Sequence, residues 1–427
     1  MDATRLDFRS FRAWRYNPNR VKLDEVIAPP YDVISPSERK TLYEKSPFNV
    51  IRLILGKEHN FYEAAAGHWQ KWIQEGILVQ DKTPAVYLYE QSFKHPWDSK
   101  PLRRLALVGI LRLDESGAVL RHETTFDAPK WDRFQLLEKT KTNLSPIFGL
   151  YQNSKKMKDL FSTFQKKPSL FQARDGEGVL HCVWVIQEVK DQKLIHGVLA
   201  SQKIMIADGH HRYETALEYQ KQMRGRSKNP SNDEAFDFVM MALVAEDDKG
   251  LLVFPTHRMI RRLETSTEPE LFNRLKEYFD FLPYSEKEIF PALLARPAHE
   301  KVFGVVFQRQ GSFLIQLKNQ DQARKVLPKG KPPLWYEIEA NLLNYLVFDV
   351  LWKSSPQRRQ DLVGYTRSSE EAIQAVRGHK AEVSFLLRSP EVDTIRKLAY
   401  AGERMPQKTT YFYPKLASGL LFYHHGI

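Results

Sequence analysis

Cysteine is almost missing. Cys182 is the only one in 427 residues, so no internal disulfide can form and no cysteine-based zinc cluster can be built. Its setting, the apolar run "HCVWVI", suits a buried structural thiol rather than a nucleophile. Long hydrophobic runs are missing too. Nowhere do the roughly eighteen consecutive apolar residues that a bilayer span needs occur, and "MDATRLDFRSFRAW" at the start lacks an apolar signal core. Internal repeats and low-complexity tracts are absent. Neither G-x-x-x-x-G-K nor G-x-G-x-x-G occurs, which excludes a P-loop and a Rossmann fingerprint. These absences point to a soluble, cytoplasmic protein that makes no membrane contact.

What the chain does have is core-forming material and positive charge. Hydrophobic residues make up 42% and aromatics 12%, ample for real cores and against wholesale disorder. Lysine and arginine number 64 against 52 acidic residues, a formal charge of +12. Such a balance is compatible with nucleic acid or with anionic small substrates. The basic residues are scattered, with only short clusters such as "KKMK" at Lys155 to Lys158. Solvated faces and small anions are therefore weighed above nucleic acid.

Strand-like and helix-like runs alternate along the whole length, which predicts an α/β fold of mixed α+β character. Three regions are expected: an N-terminal α/β region over 1–100, a core over 101–262, and a C-terminal α/β region over 263–427. "NVIRLIL" (Asn49 to Leu55), "AVYLYEQSF", "LRRLALVGILRLD", "HCVWVI" and "KIMIA" read as strands. "YEAAAGHWQKWIQEG" and "WYEIEANLLNYLVFDVLW" read as helices, and "KVFGVVFQRQGSFLIQL" as a hairpin turning at Gly311.

One junction carries most of the chemistry. In "IMIADGHHRYETAL" a strand runs into Asp208 and Gly209, and a helix opens at His210, His211 and Arg212. A helix start exposes unsatisfied N–H groups and partial positive charge, which suits an anion. Gly209 permits close backbone approach or a positive φ. Arg212 can fork onto phosphate oxygens, and either histidine can donate to them. Asp208 stands where it can cap the helix, hold a magnesium ion or orient a nucleophile.

Other candidates are weaker one by one. His122 and Glu123 follow a strand in "RHETTFDAPKWDR", and Glu123 can serve as a general base. Phe126, four residues after His122, rules out a zincin pair. Lys130 and Arg133, with Asp132 between them, add phosphate-compatible charge, as do His257 and Arg258 in "FPTHRMI". "AGERMPQKTTYFYPK" brings Glu403, Arg404, Lys408 and Lys415; Arg404 and Lys408 are expected to fold back toward the site. "APPYDVI" offers Tyr31 and Asp32, although its prolines equally suit a rigid turn.

"APPYDVIS", "NVIRLIL", "RHETTFDAPKWDR", "NLSPIFGLY", "IADGHHRYETAL", "FPTHR" and "GERMPQKTTYFYPKLASGL", in this order from about residue 8 to 420, resemble domain-of-unknown-function family 1015. The D-G-H-H-R piece also resembles the signature of the ParB/sulfiredoxin superfamily, which implies a core that holds nucleotide phosphates on a strand-turn-helix. The free serine kinase branch is similar in two places, a His-Glu pair upstream and D-G-H-H-R downstream. By that resemblance Glu123 would be the base, and Asp208, His210, His211 and Arg212 would form the phosphate and metal end. Sulfiredoxin has a cysteine where His210 stands, so thiol chemistry of that kind is excluded.

The resemblance implies phosphoryl transfer on a small hydroxylated or phosphorylated metabolite, serine or O-phosphoserine favoured, with ATP or ADP and Mg²⁺ as cofactors. Kinase and phosphatase would share these residues. Two alternatives stay open at this level. One is a nucleotide-binding ParB-like module that touches DNA through its basic surface. The other is a metal-dependent hydrolase using His210, His211 and Glu214.

Overall fold

In the computed structural model, residues 5–113, 117–123, 127–226, 231, 233–264 and 266–426 are described. The fold is mixed α/β, with parallel and antiparallel pairs in its main sheet. Its chain divides into two compact units. One comprises Met1–Arg121, Thr125–Leu252 and Pro414–Ile427; the other comprises His122–Thr124 and Val253–Tyr413.

The first unit is built on a nine-stranded sheet. Its strands are β1 (Phe8–Arg9), β2 (Val86–Lys94), β3 (Pro101–Arg112), β4 (Val119–Leu120), β5 (Ile147–Tyr151), β6 (Phe171–Arg174), β7 (Leu180–Ile186), β8 (Ile204–Asp208) and β9 (Phe238–Ala245). They lie in the order β4-β8-β5-β9-β3-β2-β7-β6, with β1 beside β3. Strand β9, "FVMMALVA", is buried at every position. It pairs parallel to β5 and antiparallel to β3, which explains why it reads as one apolar run without alternation. Beside β5, strand β8 shifts register between Ile206 and Asp208. Such an irregularity re-aims the side chain at a strand's end, here Asp208.

Helix α1 (Phe61–Gln74) buries Trp69 and Trp72 against Tyr16, Val26 and Phe422. Helices α2 (Asp127–Thr140) and α3 (His210–Arg226) pack on each other, and α3 sends Tyr213 and Ala216 into the core beneath the sheet. The C-terminal stretch is stitched into this unit. Trp14 and Phe422 exchange backbone hydrogen bonds, Ala28 pairs with Ser418, and Tyr423–His424 pairs with Thr142–Asn143. Cys182 is buried, and burial pushes its thiol up to about 11, as an inert structural cysteine requires.

"NVIRLIL" departs from expectation: it forms a short helix over Ile51–Ile54, not a strand. Asn49 starts it, accepting from the Ile51 N–H at 2.9 Å and donating to the Glu25 carbonyl at 2.7 Å. Ile51, Leu53 and Ile54 are all buried, so tertiary packing outweighs their β preference.

The second unit holds a six-stranded sheet. Its strands are β10 (His257–Ile260), β11 (Phe279–Pro283), β12 (Val302–Phe307), β13 (Gly311–Leu317), β14 (Val363–Thr366) and β15 (Val383–Leu386), in the order β11-β13-β12-β15-β10-β14. The expected β12–β13 hairpin is present, with Gly311 at φ +97°. The long helix expected after Trp335 is wound as a π-helix over Leu343–Leu351. Arg359 reaches both Asn344 and Asp349; an i→i+5 winding turns residues five apart toward one side. Among the described residues no helix is long and apolar enough to cross a membrane.

Candidate functional site

The Asp208 turn has the form its sequence suggests. Strand β8 ends at Asp208, Gly209 takes φ +92°, and the Gly209 carbonyl accepts from the Tyr213 N–H at 3.0 Å as α3 begins. Only glycine fits: a Cβ here would lie 2.9 Å from Arg212 Nη2 and 3.0 Å from its Cζ. The guanidinium therefore folds back across the turn. Its Nη2 donates to Asp208 Oδ2 at 2.8 Å, and its Nη1 to the Pro146 carbonyl. His210 is buried and His211 half-buried at the helix start.

A second cation completes the turn. Lys415 Nζ donates to Asp208 Oδ1, so Asp208 is held between two positive charges. The lysine is positioned through its backbone. Gln91 Nε2 on β2 donates to the Lys415 carbonyl at 2.9 Å, and Arg104 on β3 donates to the Pro414 carbonyl and to Gln91 Oε1. Arg104 is only 1% exposed and lies 4.8 Å over the Phe148 ring. A charge buried this deeply costs several kcal/mol unless well paired, so holding Pro414 and Lys415 is a substantial commitment of the sheet. No motif in the sequence ties Lys415 to Asp208, since 207 positions separate them.

Tyr31, Arg133 and Arg212 share a small cavity of about 60 Å³ with Asn143, Ser145 and Thr215. Burial, reinforced by Asp32, pushes the Tyr31 phenol up to about 12, so it stays neutral. Arg133 stacks 4.0 Å over the Tyr31 ring and donates to Asp132 and to the Ile54 carbonyl. Its role here is a clamp inside the unit. Lys130 Nζ lies 3.7 Å from Glu214, which Arg121 also approaches at 3.4 Å.

In the second unit His122 and Glu123 are held by the "GERMPQKTT" segment. Glu123 forms a parallel bridge with Met405, whose N–H donates to the His122 carbonyl at 2.7 Å. The Thr410 hydroxyl donates to Glu123 Oε1 at 3.0 Å, and its N–H to the same oxygen at 3.4 Å. His122 Nε2 lies 3.2 Å from the Thr410 hydroxyl. His122 is fully buried, whereas the Glu123 side chain keeps 16% exposure. Thr124 to Phe126, the rest of "HETTF", lie outside the described residues.

Arg258 belongs to the same environment. It is buried, and desolvation lowers its pKa while Tyr365 and Glu123 oppose that effect. Its neighbour His257 faces elsewhere: Nδ1 accepts from the Leu387 N–H at 3.1 Å, and its ring meets Phe290 edge-on at 5.2 Å. Burial pushes this imidazole down to about 3. Arg404 is half-buried and Lys408 exposed, both in this second unit.

The donor sets do not fit a protein-held metal. Both Asp208 oxygens face cations, which is the wrong field for Mg²⁺ and far from the several oxygens it takes. Glu214 is likewise engaged by Lys130 and Arg121. Among the described residues no three His, Cys, Asp or Glu side chains gather as a metal-ligand set, so the grouping of His210, His211 and Glu214 as a metal-dependent hydrolase finds no geometric support.

Among curated proteins no relative matches this sequence. Solved structures give distant likenesses. A conserved hypothetical protein from Pyrococcus furiosus is 13% identical, with 72% of this chain and 91% of that one covered at a TM-score of 0.36. A free serine kinase in complex with AMP is 13% identical, covering 73% and 90% at 0.36. SbnI from Staphylococcus aureus, truncated at its C-terminus, is 10% identical, covering 73% and 85% at 0.36. The family model described as "Protein of unknown function (DUF1015)" matches residues 8–340, and the chain belongs to that family.

Proposed function

We propose that this protein catalyses phosphoryl transfer between a nucleotide and a small hydroxylated metabolite, serine or O-phosphoserine being the favoured partner, on a ParB/sulfiredoxin-like core. The observation that carries this reading is the Asp208 turn. One carboxylate, two cations and the N-terminus of a 17-residue helix leave a net positive locus. A helix of that length adds roughly half a positive charge at its start. Such a locus suits a phosphate group, and charge-assisted hydrogen bonds to it are worth about 1.5–3 kcal/mol each.

In this reading Arg212 and Lys415 neutralise phosphate charge, Asp208 holds both cations in place, and His210 or His211 donates to phosphate oxygens. Positioning and charge neutralisation are most of what phosphoryl transfer asks of a protein. Glu123 is assigned as the base by resemblance, and a carboxylate positioned by the Thr410 hydroxyl suits that task. It takes the proton of the attacking hydroxyl; an O–P bond forms and the phosphate–nucleotide bond breaks. In the alternative hydrolysis of O-phosphoserine the attacking hydroxyl is that of water, its O–P bond forms, and the bond from phosphorus to the serine oxygen breaks.

The test is phosphorus NMR of the purified chain with the magnesium salt of ADP or of ATP plus L-serine, or with O-phosphoserine alone. New phosphoserine or free phosphate, lost in Glu123→Gln and in Arg212→Ala, supports the proposal. No turnover under any of these conditions, or full activity in either variant, overturns it.

A further inference from the structure

The "GERMPQKTT" segment has no assigned role, yet its geometry is specific. Met405 joins the backbone beside His122 at one end. The Thr409 hydroxyl then donates back to the Pro406 carbonyl at 2.6 Å, and Lys408 adopts the left-handed φ of +58°. A lysine in that region costs about 1 kcal/mol, so the tight turn is held by its surroundings. Its product is Thr410, delivered with N–H and hydroxyl both on Glu123 Oε1.

Donor counting fixes the protons. A glutamate side chain is ordinarily a carboxylate at neutral pH and then only accepts, so the single Thr410 hydroxyl proton points at Glu123. The hydroxyl oxygen can then only accept from His122, whose Nε2 must carry hydrogen at 3.2 Å. His122 is fully buried beside Phe412, at a ring distance of 6.4 Å. The result is a directed chain, His122 to Thr410 to Glu123, that fixes one carboxylate oxygen and one imidazole tautomer together.

We infer that Thr410 is the positioning residue of Glu123, a hydroxyl bridge that holds the carboxylate in one rotamer and fixes His122 as its Nε2–H tautomer. The catalytic meaning of this bridge rests on the proposed phosphoryl transfer; the proton arrangement does not. Serine at 410 keeps the bridge, and valine removes it at nearly constant volume.

Two readouts on the full chain test it. In ¹⁵N-histidine NMR, with His122 identified by His122→Gln, the wild type and Thr410→Ser show the Nε2–H pattern, and Thr410→Val does not. In the phosphorus assay Thr410→Val lowers kcat at least tenfold with KM within about twofold, and Thr410→Ser restores it. An Nδ1–H pattern in the wild type, an unchanged pattern in the valine variant, or wild-type kcat in that variant overturns the inference. If the wild type shows no turnover, the proposed reaction fails while the tautomer readout still decides the bridge. If the valine variant does not fold, the serine variant decides: loss of the Nε2–H pattern there overturns the inference, and retention supports it.

Discussion

Lys415 Nζ and Arg212 Nη2 grip opposite oxygens of one carboxylate, Asp208, the second at 2.8 Å. Sequence spacing explains the Arg212 contact, four residues on in the first helical turn. The Lys415 contact comes from the other end of the chain and depends on the sheet residues Gln91 and Arg104.

Phosphate binding should therefore depend on Lys415. Lys415→Met is expected to weaken inorganic phosphate or pyrophosphate binding about tenfold or more, as loss of a charge-assisted hydrogen bond requires. The salt dependence of binding should become shallower in the same variant, since one fewer cation meets the anion. Titration calorimetry at two salt concentrations measures both.

Arg104→Met should act at a distance. The change leaves the Pro414 carbonyl and the Gln91 Oε1 without their buried donor, a loss of about 1–3 kcal/mol for each unsatisfied acceptor. Urea unfolding should move to lower denaturant, and the chain after Tyr413 should become cleavable by limited proteolysis. A variant with unchanged stability and an intact tail would contradict the anchoring role.

Gly209→Ala tests the turn itself. A positive φ of +92° makes alanine costly, and its Cβ, 2.9 Å from Arg212 Nη2, pushes that guanidinium aside. The backbone part alone is about 1–2 kcal/mol. Thermal unfolding should show that loss, and phosphate affinity should fall because Arg212 is displaced.

Acid should destabilise the chain through His257. Burial holds this imidazole at about 3, against an ordinary 6.5. Between those values the unfolded chain binds the proton and the folded one does not. Its stabilising contribution is therefore complete above about pH 6.5 and is lost as pH falls toward 3; by pH 5 the loss is about 2 kcal/mol. His425, pushed down to about 3 by burial, acts with the same sign. Unfolding at pH 7.5 and pH 5 should show a smaller acid loss in His257→Phe than in the wild type.

Much of this was legible in the sequence where local rules govern. The Gly209 turn, the strand β7 within "HCVWVI" and the Gly311 hairpin each follow from residue types at fixed spacing. "NVIRLIL" was not, because the Asn49 hydrogen bonds and complete burial of three aliphatic residues override β propensity. The π-winding of Leu343–Leu351 carries no local signature, and Arg359, from outside the segment, meets two of its residues five apart. The motif "GERMPQKTTYFYPK" contains Lys415 and Thr410, but nothing in it says which residues they meet. Their partners lie 207 and 287 positions away, and each is delivered by backbone contacts that carry no sequence signature.

Whether the Asp208 turn holds nucleotide phosphate is measured most directly by titration calorimetry of ADP into the wild type and Arg212→Ala. One ADP per chain in the wild type, with affinity at least tenfold weaker in the variant, is the predicted result. Equal affinity in the two proteins, or no binding to the wild type, would contradict it.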